Sequence, residues 1–249
     1  MTRKILKSIL AIMLFVPGLC FAKEVHYMTE EYPPYNFAEG SEITGISIDI
    51  LAEMREKMNM EPPKVSLFPW VRGYRFAQMP NKHNVIFSTT RTEDRIPKFK
   101  WVGPIAKTEV SVFCNKNVKA EISNDEDLSK YTYAVIRDDI GQLELTNRNV
   151  PKSSVQDVTK FDVMVNLVKT GRKNCFAYEG NVASYLMQKS GVNANDFERK
   201  YVLIQGELYY AFNKSVSDSD IETHQKALDE VRADKDLLDS IYSKYGVNN

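Results

Sequence analysis

Apolar positions along this chain recur in two rhythms. Short runs of β-prone residues alternate with longer stretches spaced at three and four residues, which argues for an α/β protein. Val25–Met28 reads as a first strand and ends in Thr29-Glu30-Glu31-Tyr32-Pro33-Pro34-Tyr35, where the double proline fixes an extended loop. Ile48–Met58 predicts an amphipathic helix with Ile50, Leu51, Met54 and Met58 on one face. Lys64–Phe68 is a second strand, Arg72–Gln78 a short helix and Val85–Phe87 a third strand. This β-loop-α-β-α-β order then repeats. Glu109–Asn115 and Tyr131–Ile136 are strands, as are Val155–Val158 and Cys175–Tyr178. Helices are predicted over Phe161–Lys169 and Asn181–Ser190, and a long β-prone run covers Tyr201–Asn213. Helical periodicity over Ile221–Tyr245 closes the chain. Two similar halves without a low-complexity linker predict two lobes packed across a hinge, with a cleft between them.

The N-terminus changes the picture of where this protein works. Arg3, Lys4 and Lys7 precede an apolar run from Ile9 to Val16, a Pro17-Gly18 break and Cys20-Phe21-Ala22. That is the layout of a secretory signal peptide cleaved after Ala22. Cys20 raises lipoprotein processing as an alternative, but Leu19 is bulkier than the small residue such processing prefers. No later segment approaches the roughly 18 apolar residues of a membrane span. The first 22 residues hold three basic and no acidic groups, so removing them takes the balance from neutral, 33 against 33, to −3. A weakly acidic chain without a Lys/Arg run points away from nucleic acid and from membrane surfaces. Cys114 and Cys175 remain; in an oxidising compartment they are a disulfide candidate, the alternative being two separate buried thiols. Neither has a metal-ligand neighbour at the usual spacing.

The chemistry concentrates at strand ends. Val85-Ile86-Phe87 runs into Ser88-Thr89-Thr90-Arg91-Thr92-Glu93-Asp94-Arg95, presenting hydroxyl, backbone and guanidinium donors to one small anion. In open parallel sheets ligands lie beyond the carboxyl ends of the strands, where Tyr32, Trp70 and Thr90 also fall. Arg72, one turn beyond Trp70, is either a second anion-binding group or a surface ion-pair partner. Glu179 either meets a ligand or caps the helix that follows it. Asp49 is read as stabilising a helix N-terminus. An enzyme is the main rival class, but His26, His83 and His224 are scattered and neither a nucleophile elbow nor a phosphate-binding loop is visible. The adjacent acids Asp138 and Asp139 read as solvated rather than as a catalytic pair.

Taken in order, Tyr32-Pro33-Pro34-Tyr35-Asn36-Phe37, Thr44-Gly45-Ile46-Ser47-Ile48-Asp49, Thr90 to Arg95, Trp101 with Gly103-Pro104, and Ile241-Tyr242-Ser243-Lys244-Tyr245-Gly246 resemble the family-3 extracytoplasmic (periplasmic) solute-binding proteins, the polar amino-acid receptors of bacterial ABC transporters. The resemblance implies a two-lobed type II periplasmic-binding-protein fold, each lobe an open mixed sheet flanked by helices, joined by two crossover strands near Thr108-Glu109 and Gly206-Glu207. The lobes would be residues 23–108 with 207–249, and 109–206. By alignment Arg95 is the carboxylate-binding arginine, Thr90 its hydroxyl partner and Ser88 the amine-accepting backbone position. Tyr32 and Trp70 are the aromatic walls, and Glu179 is the amine-binding acid. The family's strand order makes the Cys114 and Cys175 strands neighbours, which supports the disulfide.

The sequence departs from the family where many relatives carry a small Gly-Thr or Gly-Ser turn, reading instead Arg137-Asp138-Asp139-Ile140-Gly141-Gln142. Either Arg137 replaces the lost donors or the acids meet a cationic ligand. The function implied is capture of a small zwitterionic or anionic, amino-acid-like solute for an inner-membrane ABC permease. The alternatives are a sensor signalling to a membrane partner and, further off, a dehydratase-like enzyme on the same fold. A monomer without cofactor or metal is expected.

Overall fold

The computed structural model describes residues 25–247; the signal-peptide reading therefore lies outside the described residues. Among the described residues ten strands and seven α-helices follow one another. The first half comprises β1 (His26–Thr29), β2 (Phe37–Glu39), β3 (Glu42–Thr44), α1 (Ile46–Lys57), β4 (Val65–Leu67), α2 (Trp70–Ala77) and β5 (Asn84–Thr90). The long β6 (Lys100–Asn115) leads to β7 (Tyr133–Ile136), α3 (Ile140–Asn147), β8 (Val155–Val158), α4 (Phe161–Lys169), β9 (Cys175–Glu179) and α5 (Gly180–Lys189). The equally long β10 (Phe197–Phe212) returns to α6 (Asp218–Ala233) and α7 (Lys235–Lys244).

Eight strands form one ladder in the order β4-β1-β5-β10-β6-β9-β7-β8. β4, β1 and β5 are parallel at one end, β9, β7 and β8 at the other. Between them β6 and β10 run antiparallel to each other, with Gly206 opposite Thr108 and Glu207 opposite Lys107. The two lobes thus share a continuous hydrogen-bonded spine. Apolar patterning starts β6 at Glu109; the strand begins at Lys100 instead. Its Gly103-Pro104 pair falls where the register with β10 shifts between Leu208 and Tyr210. A bulge is one of the few places a strand tolerates proline. The hairpin of β2 and β3 is an addition to the predicted elements, and α2 begins two residues earlier than expected, directly after Pro69.

A second bulge lies in β5. Its register with β10 shifts between Tyr209 and Ala211, and Ser88 within it takes a left-handed φ of 55°. The extra residue turns Ser88 inward, where its hydroxyl donates to Asn36 and bonds Ser47 Oγ at 2.8 Å. Such a conformation in a non-glycine residue persists only where its surroundings hold it.

The proline loop docks on α1. The amides of Ile46 and Ser47 donate to the carbonyls of Pro34 and Tyr35 at 3.0 and 2.8 Å, satisfying a helix N-terminus that has no side-chain cap. Gly45 is required there: its φ is 128°, and a Cβ would overlap the Tyr35 carbonyl. Asp49, in the first turn of α1, accepts from Lys244 Nζ and Tyr245 Oη, both at 2.8 Å, so the last helix is tied to the first. The principal core cluster extends from Tyr27, Met28 and Ile50 through Phe176 and Met164, while a second, smaller one around Val112, Leu128 and Leu145 fills the other face of the second lobe. Cys114 and Cys175 face each other on β6 and β9 and are bonded.

Candidate functional site

The carboxyl ends of β1, β5 and β7 meet where the lobes touch. Arg95, after β5, is only 2 % exposed. Its guanidinium donates to the Thr90 carbonyl at 3.3 Å and, across the cleft, to the Asp138 carbonyl at 3.2 Å. Two rings cover it, with Trp70 at 5.0 Å and Tyr74 at 5.4 Å from the guanidinium carbon to each centroid. Trp70 and Tyr74, one turn apart on α2, stack on each other. The indole Nε1 of Trp70 also donates to the Asp138 carbonyl, at 2.8 Å. One second-lobe carbonyl therefore accepts from two first-lobe side chains.

That carbonyl is aimed by the backbone. Asp138 has φ 58°, left-handed, and its amide donates to Gln142 Oε1 at 2.7 Å. The turn directs the Asp138 side chain to solvent and the next one inward. Asp139 is 5 % exposed and its Oδ2 has no hydrogen-bond partner. The expectation that both acids are solvated holds for Asp138 and fails for Asp139. The reason includes Gly141, which lets α3 lie against the Ala177 carbonyl of β9 and draws the helix start into the protein. Burial raises the Asp139 carboxyl above its ordinary range, opposed first by Arg95 and then by the amides of Ile140 and Gly141.

A second acid enters from the first lobe. Glu30 follows β1, and Asn36 holds its carbonyl through a 2.8 Å bond while accepting from Ser88. Burial and then Asp139 push the Glu30 carboxyl well up, with Arg95 pulling the other way. Tyr32 and Tyr178, edge-to-face at 5.9 Å, border both acids, and burial above all keeps their phenols protonated. Two hollows open on either side of this cluster. One, of about 370 Å³, lies between the lobes against Glu30, Phe68, Trp70, Phe161 and Tyr178. The other, of about 250 Å³, is lined by Tyr74, Arg95, Asp139 and Leu143 among others.

Of the residues singled out from sequence, the structure brings Trp70, Thr90 and Arg95 together, while Tyr32 packs against Tyr35 and Tyr178 beside them. Ser88 lies just behind them, its side chain turned to Asn36 and Ser47. Arg72 and Arg137 are not brought in. Arg72 is exposed and sits 5.2 Å over each of the Phe68 and Phe76 rings. Arg137 is exposed and paired with Asp157 on β8. Glu179 is buried at the cluster's hinge side, where its carboxylate accepts from the Val182 amide at 2.7 Å and caps α5. Burial raises its carboxyl to about 7, against the pull of the Val182 amide and further backbone donors. Glu30, Tyr74 and Tyr178 join the site without having been singled out as ligand groups, and Asp139 enters it as one of the two acids read as a possible partner of a cationic ligand. The pairing of acids, Glu30-Glu31 directly after β1 and Asp138-Asp139 one residue beyond β7, was the available signal.

A two-lobed α/β fold with charged and aromatic groups gathered where the lobes meet is the arrangement of a protein that holds a small ligand in a cleft. The chain belongs to the bacterial extracellular solute-binding proteins, family 3, whose sequence profile matches residues 25–248. A search of curated protein sequences returned no match. Among solved structures, a histidine kinase sensor domain with similarity to periplasmic binding proteins superposes with a TM-score of 0.78 at 15 % identity, covering 92 % of this chain and 99 % of that one. An ancestral arginine-binding protein bound to arginine gives 0.74 at 19 %, covering 90 % and 99 %. The arginine-, lysine-, histidine-binding protein ArtJ from Geobacillus stearothermophilus gives 0.73 at 13 %, covering 90 % and 95 %. These likenesses speak for the fold. No helix among the described residues is long and apolar enough to cross a membrane.

Proposed function

We propose that this protein is an exported, periplasmic receptor that closes its two lobes over one small amine-bearing solute and presents it to a membrane partner. The observation that carries this reading is the pair of buried charges at the lobe junction. Arg95 comes from one lobe and Asp139 from the other, and Asp139 has an oxygen without a donor. Buried ionic groups are costly unless paired, so a ligand that completes the set favours the closed form over the open one. The hinge falls near Thr108 and Gly206. Arg95 anchors the closed site, Trp70 and Tyr32 wall it, and Glu179 holds the start of α5 beside it. No catalytic step, metal or cofactor belongs to this reading, and the protein acts as a monomer. A purely anionic solute is disfavoured, because it would meet Glu30 and Asp139 beside Arg95.

Once the solute is captured, delivery to an ABC permease is the first reading of its fate. Signalling is the second, and the likeness to a histidine kinase sensor domain supports keeping it. A thermal-shift screen over amino acids, amines, short peptides and organic acids tests capture. A ligand at 100 times its dissociation constant adds about 2.7 kcal/mol of stability. Arg95→Ala is expected to weaken the best hit at least tenfold; unchanged affinity would refute the site. Uptake of that hit by cells lacking the protein separates the two readings: lost uptake means transport, and retained uptake with a lost transcriptional response means sensing.

A further inference from the structure

The charges gathered at the lobe junction do not balance as a carboxylate-binding site should. Arg95 is already served by the carbonyls of Thr90 and Asp138 and by the faces of Trp70 and Tyr74. Two acids, the half-buried Glu30 and the buried Asp139, stand against this one buried cation from opposite lobes, with the exposed Lys160 and Lys98 at the rims. Resting on the solute-capture reading, we infer that the cleft selects a small organic cation without a carboxylate. Its amine or guanidinium head sits between Glu30 and Asp139, and its apolar or aromatic body fills the hollow beside Trp70.

Three observations converge on this class. Asp139 Oδ2 is buried and lacks a donor, a demand that an N–H group satisfies and a carboxylate worsens. The 370 Å³ hollow next to Glu30 has mostly apolar walls, Leu67, Phe68, Trp70, Phe161, Tyr178 and Leu186. Aromatic faces beside an acid are a favourable setting for a cation with an apolar stem. Finally, a ligand carboxylate placed against Arg95 would lie beside Asp139, like charge next to like charge in a water-poor site.

The same arrangement links binding to protons. Around Glu30 stand Arg95, Asp139, Glu31, Asp162 and Lys160, and around Asp139 stand Arg95, Asp138, Asp94 and Lys98, with Tyr32 and Tyr178 bordering both acids and Glu179 bordering the tyrosines. Closure around the two acids favours their protonated forms, and an arriving cation takes the place of a proton. Affinity then rises with pH for as long as the ligand itself stays charged, approaching tenfold per unit when one proton is released.

Isothermal titration of the mature chain with matched pairs tests the inference: phenethylamine against phenylalanine, tryptamine against tryptophan, agmatine against arginine, and cadaverine against lysine, each at pH 5.5 and 7.5. In the tightest pair the amine is expected to bind at least about tenfold better than the amino acid, to gain affinity at the higher pH, and to release a proton, read from buffers of different ionisation enthalpy. Glu30→Gln and Asp139→Asn, checked for folding by thermal unfolding, should each weaken the amine about tenfold or more and flatten its pH dependence. Asp139→Asn should also bring the amino acid closer to its amine. Tighter binding by the amino acid, a flat pH profile, or indifference to both variants overturns the cation assignment while leaving solute capture standing. If neither member of any pair binds, the cation assignment falls. Capture itself falls only if the wider solute screen is also empty.

Discussion

Glu179 shows how one carboxylate can serve structure at the edge of a binding site. It caps α5, yet burial lifts its carboxyl to about 7, above the 4.5 of a free glutamate. The folded chain therefore holds this proton more tightly than the unfolded one. Its contribution to stability is full below about pH 4.5, falls as pH rises toward 7, and is flat beyond. Glu179→Gln retains an acceptor for Val182 without the titration. Its stability relative to wild type should climb by roughly 1–3 kcal/mol between pH 4.5 and 7.5, measured by denaturant unfolding at several pH values. A constant difference would mean that Glu179 is not buried as described. Arg95 was legible from sequence because a strand end, hydroxyls and an arginine occur in one short segment. The burial of Asp139 was not, because it depends on the left-handed turn at Asp138 and on the tight seat of Gly141, neither of which periodicity reports.

Among elements, β6 and its neighbours carry the most of the second lobe's order. Cys114 and Cys175 are cross-strand partners on β6 and β9, and the 61-residue separation they close contains β7, α3, β8 and α4. The bond therefore brackets the turn that presents the Asp138 carbonyl and Asp139. Replacing both cysteines by serine is expected to cost about 2–4 kcal/mol, and hydrogen exchange should show the loss in β7 and β9 rather than in β1 and β5. Uniform loosening would contradict that local role. The short strands and most helices were readable from apolar spacing, and Phe161–Lys169 and Val155–Val158 match residue for residue. The first half of β6 was hidden because its glycine and proline serve a bulge, and β2 and β3 are too short to show a period.

At the scale of the whole molecule, a handful of contacts bridge the two lobes. Besides the bonds to the Asp138 carbonyl, Lys189 pairs with Glu31 at 3.6 Å and Asn181 reaches the Tyr35 hydroxyl at 3.3 Å. The exposed ion pair adds little. The buried indole bond counts for more. Trp70→Phe keeps a ring over Arg95 but removes the donor to Asp138; dissociation of a bound solute should quicken about two- to tenfold, measured by surface plasmon resonance. An unchanged rate would mean that this bond does not hold the lobes shut. Trp70 and Trp101 are the two tryptophans of the chain, so in a Trp101→Phe background the emission reports on the cleft alone.

The pairing of Gly206 with Thr108 and of Glu207 with Lys107 has a topological meaning as well. The chain departs into the second lobe along β6 and comes home along its immediate neighbour, β10. Everything between is, in connectivity, one very large hairpin loop hung on a first lobe that holds both β1 and α7. A short turn joining Lys107 to Glu207 would close the path without rerouting any strand of the first sheet. Ligand chemistry could accordingly be exchanged by grafting the loop from a relative, with the register of two neighbouring strands as the covalent joint and the contacts to Trp70, Arg95, Glu31 and Tyr35 as the surface to match.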